Sequence, residues 1–189
     1  MKKNQVIIAF VGPIASGKGY AVKYLQKKYQ ASVYRFSTML RDITKRVYIE
    51  ETRENLVKLS WILRKNFGQD VLSKTMRQDI LKDSNAIVVI DGARRISDLN
   101  YLKKMPRFFL VRIDADVKIR WQRITARREN PDDQKKTLAQ FKKDEQSEIE
   151  KTSRMLGKLA DYSVSNDKDP KDLYIQLDRV IKKIHAHQG

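Results

Sequence analysis

The sequence predicts an α/β fold with a doubly wound parallel sheet, on three observations. Short, continuous runs of apolar and β-branched residues recur along the chain, most are followed by a segment of helical period, and the first junction between the two is a glycine loop. The first run, Val6–Val11, has no polar residue and fits a strand buried on both faces. The loop Gly12-Pro13-Ile14-Ala15-Ser16-Gly17-Lys18-Gly19 follows, and residues 20–29 read as a helix with Val22, Leu25 and Tyr29 three and four apart. Residues 32–36 are a second strand. Residues 37–83 have helical period, broken near residues 48–51 and 66–68. A third strand over 86–90 ends at Asp91-Gly92, a short helix covers 97–104, and Phe108–Asp114 is the fourth strand. A helix over 117–128 is stopped by Asn130-Pro131-Asp132-Asp133, and a charged helix runs from Lys135 to Arg154. Tyr162–Ser165 is the fifth strand, and a helix over 170–185 closes the chain. No repeat, linker or low-complexity tract interrupts residues 1–189, so one domain with helical insertions is expected.

Composition removes several chemistries. The 189 residues include no cysteine, which excludes a disulfide scaffold, a cysteine-ligated zinc and a thiol nucleophile. The two histidines, His185 and His187, lie in the last five residues, which argues against a histidine-based triad or metal centre. No apolar run approaches the roughly 20 residues of a membrane span, and Met1-Lys2-Lys3-Asn4 leads directly into a strand rather than a signal peptide. A soluble, cytoplasmic protein without a membrane partner is expected. The net charge is +17 and unevenly spread: residues 1–128 hold 28 Lys/Arg against 11 Asp/Glu, and residues 129–189 hold 12 of each. Such a field suits nucleic acid, an anionic surface or a polyanionic small molecule.

Chemistry concentrates in the loop and in the ends of the strands. Gly12 to Lys18 fits G-x-x-x-x-G-K, in which glycines let the backbone fold around a phosphate with its N–H groups inward. Lysine then reaches the β- and γ-phosphates, and the helix adds its positive end. Gly12, Ala15, Ser16, Gly17, Lys18, Gly19 and Tyr20 are the candidate nucleotide ligands. Gly19 stands where a magnesium-binding Ser or Thr commonly follows the lysine, so Mg²⁺ would need water, Ser16 or carboxylates elsewhere. Ser37 and Thr38 follow the second strand, with Arg41 behind them; Ser37 suits a helix cap, and Arg41 near a helix start suits an anion. Asp91 ends a buried strand and precedes Arg94 and Arg95, placing a carboxylate and two guanidinium forks at the edge where open parallel sheets bind ligands. Arg120, Arg123 and Arg127 share one helical face, with Arg128 beside them. Trp61 and Trp121 read as packing residues, and Glu145 and Glu148 as a solvated face.

In motif order, these segments resemble the adenylate-kinase-like nucleotide kinases. Gly17-Lys18-Gly19 matches their G-K-G, with Tyr20 in place of the family threonine; Ser37-Thr38 and Arg41 resemble S-T-x-x-x-L-R, one residue shorter. Asp91-Gly92-Ala93-Arg94 is similar to D-G-x-R of dephospho-coenzyme A kinases and phage-type deoxynucleoside monophosphate kinases, and residues 160–167 resemble the last-strand stretch that borders the adenine. The resemblance implies a three-layer α/β/α P-loop NTPase fold with five parallel strands in the order 2-3-1-4-5. It also implies an acceptor-binding insertion over 37–83 and an arginine-rich lid over about 120–140. The implied reaction moves the γ-phosphoryl group of ATP, with Mg²⁺, to a small anionic acceptor such as a nucleoside or deoxynucleoside monophosphate. Lys18, Arg94, Arg123 and Arg127 are then the catalytic candidates. Ser37, Thr38, Arg41, Asp91, Arg94 and Arg95 are the acceptor candidates, and Asp91 is the metal candidate. Two alternatives stay open: a dephospho-coenzyme A kinase-like enzyme, and a non-kinase ATP-binding or nucleic-acid-binding regulatory protein that hydrolyses slowly or not at all. A kinase with this charge is expected to bind nucleic acid only weakly and without sequence preference.

Overall fold

The computed structural model describes residues 5–127 and 133–186. Strands β1 (Val6–Val11), β2 (Ser32–Arg35), β3 (Ile87–Asp91), β4 (Phe108–Asp114) and β5 (Tyr162–Ser165) pair in parallel as one sheet. Their order is β2-β3-β1-β4-β5, the order implied by the kinase resemblance. The helices are α1 (Lys18–Tyr29), α2 (Phe36–Arg46), α3 (Arg53–Phe67), α4 (Val71–Lys82), α5 (Val117–Arg127), α6 (Leu138–Asp144), α7 (Glu148–Lys158) and α8 (Pro170–Ala186). None of the described helices is long and apolar enough to cross a membrane.

Strand β1 is central because it can be buried on both sides. Val6, Ile8 and Phe10 pack with Ala21, Val22 and Leu25 of α1 and with Leu173, Leu177 and Ile181 of α8. The alternate residues Ile7, Ala9 and Val11 pack on the other face with Leu40 of α2, Met76 and Ile80 of α4, and Leu156 of α7. This period-two division makes three layers, and it leaves the carboxyl ends of β1, β3 and β4 side by side. Gly12, Asp91 and Asp114 stand at or just beyond those ends.

Three elements differ from the sequence expectation. The second strand ends one residue early, because Phe36 turns into the core as the first residue of α2; Arg35 is the cap, and Ser37 lies inside the first turn. The helix expected over 97–104 is a 3₁₀ turn, Ile96–Leu99, followed by further turns, because Asp98 bonds backward to the chain before it. The charged segment over 135–154 is two helices. Thr137 caps α6 in a capping box with Gln140, and the chain turns again before Ser147, the N-cap residue of α7, which packs beneath the loop after β1. Arg128 and residues 130–132 lie outside the described residues, as does the side chain of Arg127.

Helix α8 offers a direct check of the packing. Leu177 is 2% exposed against the sheet and Ile175 is 50% exposed. Leu177→Ala is expected to lower unfolding stability by about 2–5 kcal/mol, and Ile175→Ala by no more than about 0.5 kcal/mol, measured by urea denaturation.

Candidate functional site

The loop between β1 and α1 is shaped by backbone conformations that side chains resist. Gly12 has φ 142° and Gly17 has φ 101°, and Ala15 joins them in the left-handed region at φ 59°. A Cβ on Gly12 would lie 2.0 Å from the Ile113 carbonyl oxygen, and one on Gly17 2.0 Å from Asn166 Nδ2. Helix α1 starts with no side-chain cap and no acidic residue in its first turn. Its first N–H groups have no acceptor within the helix, so its positive end is open to an anion.

The carbonyl groups of the loop, by contrast, are all taken. Lys18 Nζ donates to the oxygens of Gly12 (2.7 Å) and Pro13 (2.8 Å), and Ser153 Oγ donates to Gly12 (3.0 Å). Arg120 Nη1 reaches the Ile14 oxygen and Arg123 Nη1 the Ala15 oxygen, both at 3.5 Å. Asn166 Nδ2 donates to the Ser16 oxygen at 2.9 Å. Arg123 also donates to the Asn166 carbonyl at 2.7 Å, tying α5 to the loop after β5.

A cleft of about 260 Å³ opens beside this loop, lined by Lys18, Arg35, Ser37, Asp91, Arg94 and Glu150 among others. Lys18 is half-buried at the cleft wall, and burial lowers its ammonium to about 8, with the Arg94 charge adding to the effect and Asp91 and Glu150 opposing it. Asp91 accepts from Arg35 Nε at 3.1 Å. Glu150, 8% exposed, accepts the Ile14 N–H at 3.3 Å.

Of the expected ligands, Gly12, Lys18, Ser37, Asp91 and Arg94 line the cleft. Ala15, Gly17 and Gly19 build the loop beside it. The Ser16 side chain is fully buried, with its hydroxyl unpartnered and close to Gly12, so it does not reach the cleft. Tyr20 is 56% exposed. Thr38 and Arg95 are exposed outside the cleft lining. Arg41 lies in the second turn of α2 rather than the first, and pairs with Glu51 at 3.4 Å. Arg120, expected on one helical face with Arg123 and Arg127 in an arginine-rich lid, is 6% exposed, paired with Glu145 at 2.5 Å and set over the Phe141 ring. Glu145 is therefore not a solvated residue, although Glu148 is. Trp121 is partly buried and donates to the Lys136 carbonyl, but Trp61 is exposed under Lys65.

Sequence reasoning passed over Arg35, Glu150, Ser153 and the side chain of Asn166. A signal for two of them is present in α7, where Glu150, Ser153 and Gly157 recur three and four apart within a charged helix. Residues at that spacing share one helix face, and Gly157 on that face lies against the Arg112 side chain.

The chain is similar to known proteins both in sequence and in fold. A family model described as an AAA domain matches residues 11–139. The chain is 26% identical over 181 residues to a UPF0200 protein of Hyperthermus butylicus, with 96% of each chain covered. It is 28% identical over 189 residues to a UPF0200 protein of Methanocaldococcus jannaschii, covering 95% of this chain and 90% of that one. Among solved structures, a shikimate kinase from Bacteroides thetaiotaomicron superposes with TM-score 0.62 at 14% identity, over 95% of this chain and 98% of that one. A shikimate kinase from Aquifex aeolicus gives 0.57 at 17%, over 94% and 96%. At these identities the structural likeness establishes the fold.

The two helix-starting glycines should respond oppositely to a methyl group. Gly17→Ala is expected to destabilise the protein by about 1–3 kcal/mol, from the strained φ and the clash with Asn166. Gly19 has nothing within 4 Å and helical backbone, so Gly19→Ala should be neutral or stabilising by up to about 1 kcal/mol. Thermal and urea unfolding of the two variants check this.

Proposed function

The chain belongs to the AAA_17 family of AAA domains, a P-loop kinase family, and from that premise we propose that it is an ATP-dependent small-molecule kinase. Its acceptor is a phosphorylated small molecule, with nucleoside and deoxynucleoside monophosphates the best candidates. One observation carries this reading. Lys18 and Arg94 come from different strand ends and meet Ser37 and Asp91 in one cleft, beside a loop whose carbonyls are all turned to other partners.

In this proposal the triphosphate lies over the loop amides and the start of α1, and Lys18 leaves the Gly12 and Pro13 carbonyls for phosphate oxygen. Arg94 faces the group in transit, where a guanidinium offsets equatorial charge without covalent chemistry. Arg123 and Arg127 come from the α5 side. Ser37 holds the acceptor from α2, with Thr38, Arg41 and Arg95 joining when the helices over 37–83 close on it. The cleft is smaller than ordinary ligand pockets of about 300 Å³ and more, which fits a site completed by closure. Asp91 is a hard oxygen donor on the cleft wall, which suits Mg²⁺ arriving with phosphate and water rather than a resident metal cage. Such an ion would neutralise charge on the β- and γ-phosphates. A phosphate acceptor is already ionised, so no general base is required.

Release of ADP, measured with nucleoside monophosphates, dephospho-coenzyme A or no acceptor, tests the reading. One monophosphate is expected to raise the rate well above the acceptor-free rate. Lys18→Ala should abolish that increase while circular dichroism stays unchanged. Equal rates with and without every acceptor would remove the kinase assignment and leave an ATP-binding protein without a phosphoryl acceptor.

The lowered Lys18 ammonium gives a second test. Phosphate beside it restores the charged form, so ATP binding should take up most of one proton at about pH 9. Affinity should fall as pH rises through 8, by up to about tenfold per unit. Calorimetry in buffers of different ionisation enthalpy measures the uptake, and a buffer-independent enthalpy at pH 9 would contradict it.

A further inference from the structure

Behind the cleft lies a buried ion pair that the proposed reaction does not use directly. Asp98 is 3% exposed and Arg64 5% exposed, and Arg64 Nη2 donates to Asp98 Oδ1 at 2.7 Å. The other carboxylate oxygen, Oδ2, accepts two consecutive backbone N–H groups, those of Arg94 (2.8 Å) and Arg95 (2.9 Å). Two adjacent amides on one oxygen fix the direction of the chain between them. The segment is also fixed on its other side: Gly92 turns the chain at φ 87°, and Ala93 is buried in the core. Arg94 therefore has an anchored backbone and an exposed side chain that lines the cleft with Lys18.

Arg64 carries the connection into the helices. Its Nη1 donates to the Gln69 carbonyl at 2.5 Å and to Ser97 Oγ at 3.4 Å, and its Nε to Ser60 Oγ at 3.3 Å. One guanidinium thus spans α3, the turn between α3 and α4, and the segment after β3. Stability alone does not call for this arrangement, because apolar residues of similar volume commonly replace buried ion pairs without loss. A fixed charge pair does what apolar packing cannot: its directional bonds set the orientation of one peptide segment.

We propose that Asp98 and Arg64 are positioning residues for phosphoryl transfer, holding Arg94 in register with Lys18 and linking that register to the helix pair α3–α4. The inference rests on the kinase reading and deepens it: the helices assigned to the acceptor and the arginine assigned to the transferring group are joined through one carboxylate. Lys18 senses the Arg94 charge, which agrees with a short reach between them.

A double-mutant cycle on Asp98→Asn and Arg94→Ala tests the link. Each single variant is expected to lower kcat by about tenfold or more, and to weaken ATP and tripolyphosphate binding by a smaller factor of about threefold to fivefold. The double variant should be no slower than Arg94→Ala alone, because Asp98 acts through Arg94. Wild-type kcat in Asp98→Asn, or losses that multiply in the double variant, would overturn the proposal. If Asp98→Asn does not fold, Arg64→Lys enters the same cycle, since an ammonium keeps the charge but not the fork. Binding of inorganic tripolyphosphate, followed by calorimetry through the same variants, separates the two claims. A wild-type protein that transfers no phosphoryl group removes the kinase reading, and the cycle is then read from tripolyphosphate affinity. Additive losses there, or no binding by the wild type, would refute the positioning role.

Discussion

Five consecutive carbonyl oxygens, from Gly12 to Ser16, each meet a hydrogen-bond donor from outside the loop's own turn: Lys18, Ser153, Arg120, Arg123 and Asn166 supply them. The N–H groups between them are not all free: residue 13 is proline, the Ile14 N–H donates to Glu150, and the Ser16 N–H donates to the Pro13 oxygen. The shape of the loop therefore does not come from its glycines alone. Glycine permits the left-handed turns at Gly12 and Gly17, and donors from α1, α5, α7 and the segment after β5 select them. The parallel sheet matters because it brings those four elements around the end of β1.

This constraint assigns the arginines of α5 more finely than a basic stripe would. Arg120 is buried between Glu145 and Phe141 and serves the loop from beneath. Arg123 is partly exposed and divides its donors between Ala15 and Asn166. In the proposed reaction Arg123 would have to exchange at least one of these bonds for phosphate, whereas Arg120 has no reason to move. The net charge of +17 is thus partly internal structure. Arg64 and Arg120 are buried and paired, and neither contributes to an external field as a surface lysine does.

The sheet was legible because β1, β3 and β4 are short apolar runs and helical period follows most strands, and because β1 has no polar residue to betray a solvent face. The phosphate loop and the Asp91–Arg94 edge were legible for a related reason: their chemistry lies in residues close in sequence. The contacts that complete the site were not. Glu150 lies 136 residues from the Ile14 amide it accepts, Asn166 lies 150 from Ser16, and Arg64 lies 34 from Asp98. Arg64 did leave a trace, since it falls eight residues after buried Leu56 and four after Ser60, on the inner side of α3. A charge on an otherwise inward face needs a buried partner. The division of residues 135–154 into α6 and α7 was hidden in the same way: the capping box at Thr137 and Gln140 was readable, but the turn before Ser147 answers to the loop against which α7 packs.

In the proposed reaction this loop and its neighbouring arginines pass the terminal phosphoryl group of ATP to an acceptor rather than to water. Phosphorus NMR of the protein with ATP, Mg²⁺ and a mixture of nucleoside monophosphates follows that group directly. The γ-phosphorus signal is expected to decay as a new β-phosphorus signal of an acceptor diphosphate rises in equal amount, with little inorganic phosphate. Decay of the γ signal into inorganic phosphate alone, unaffected by any acceptor, would contradict the proposed transfer.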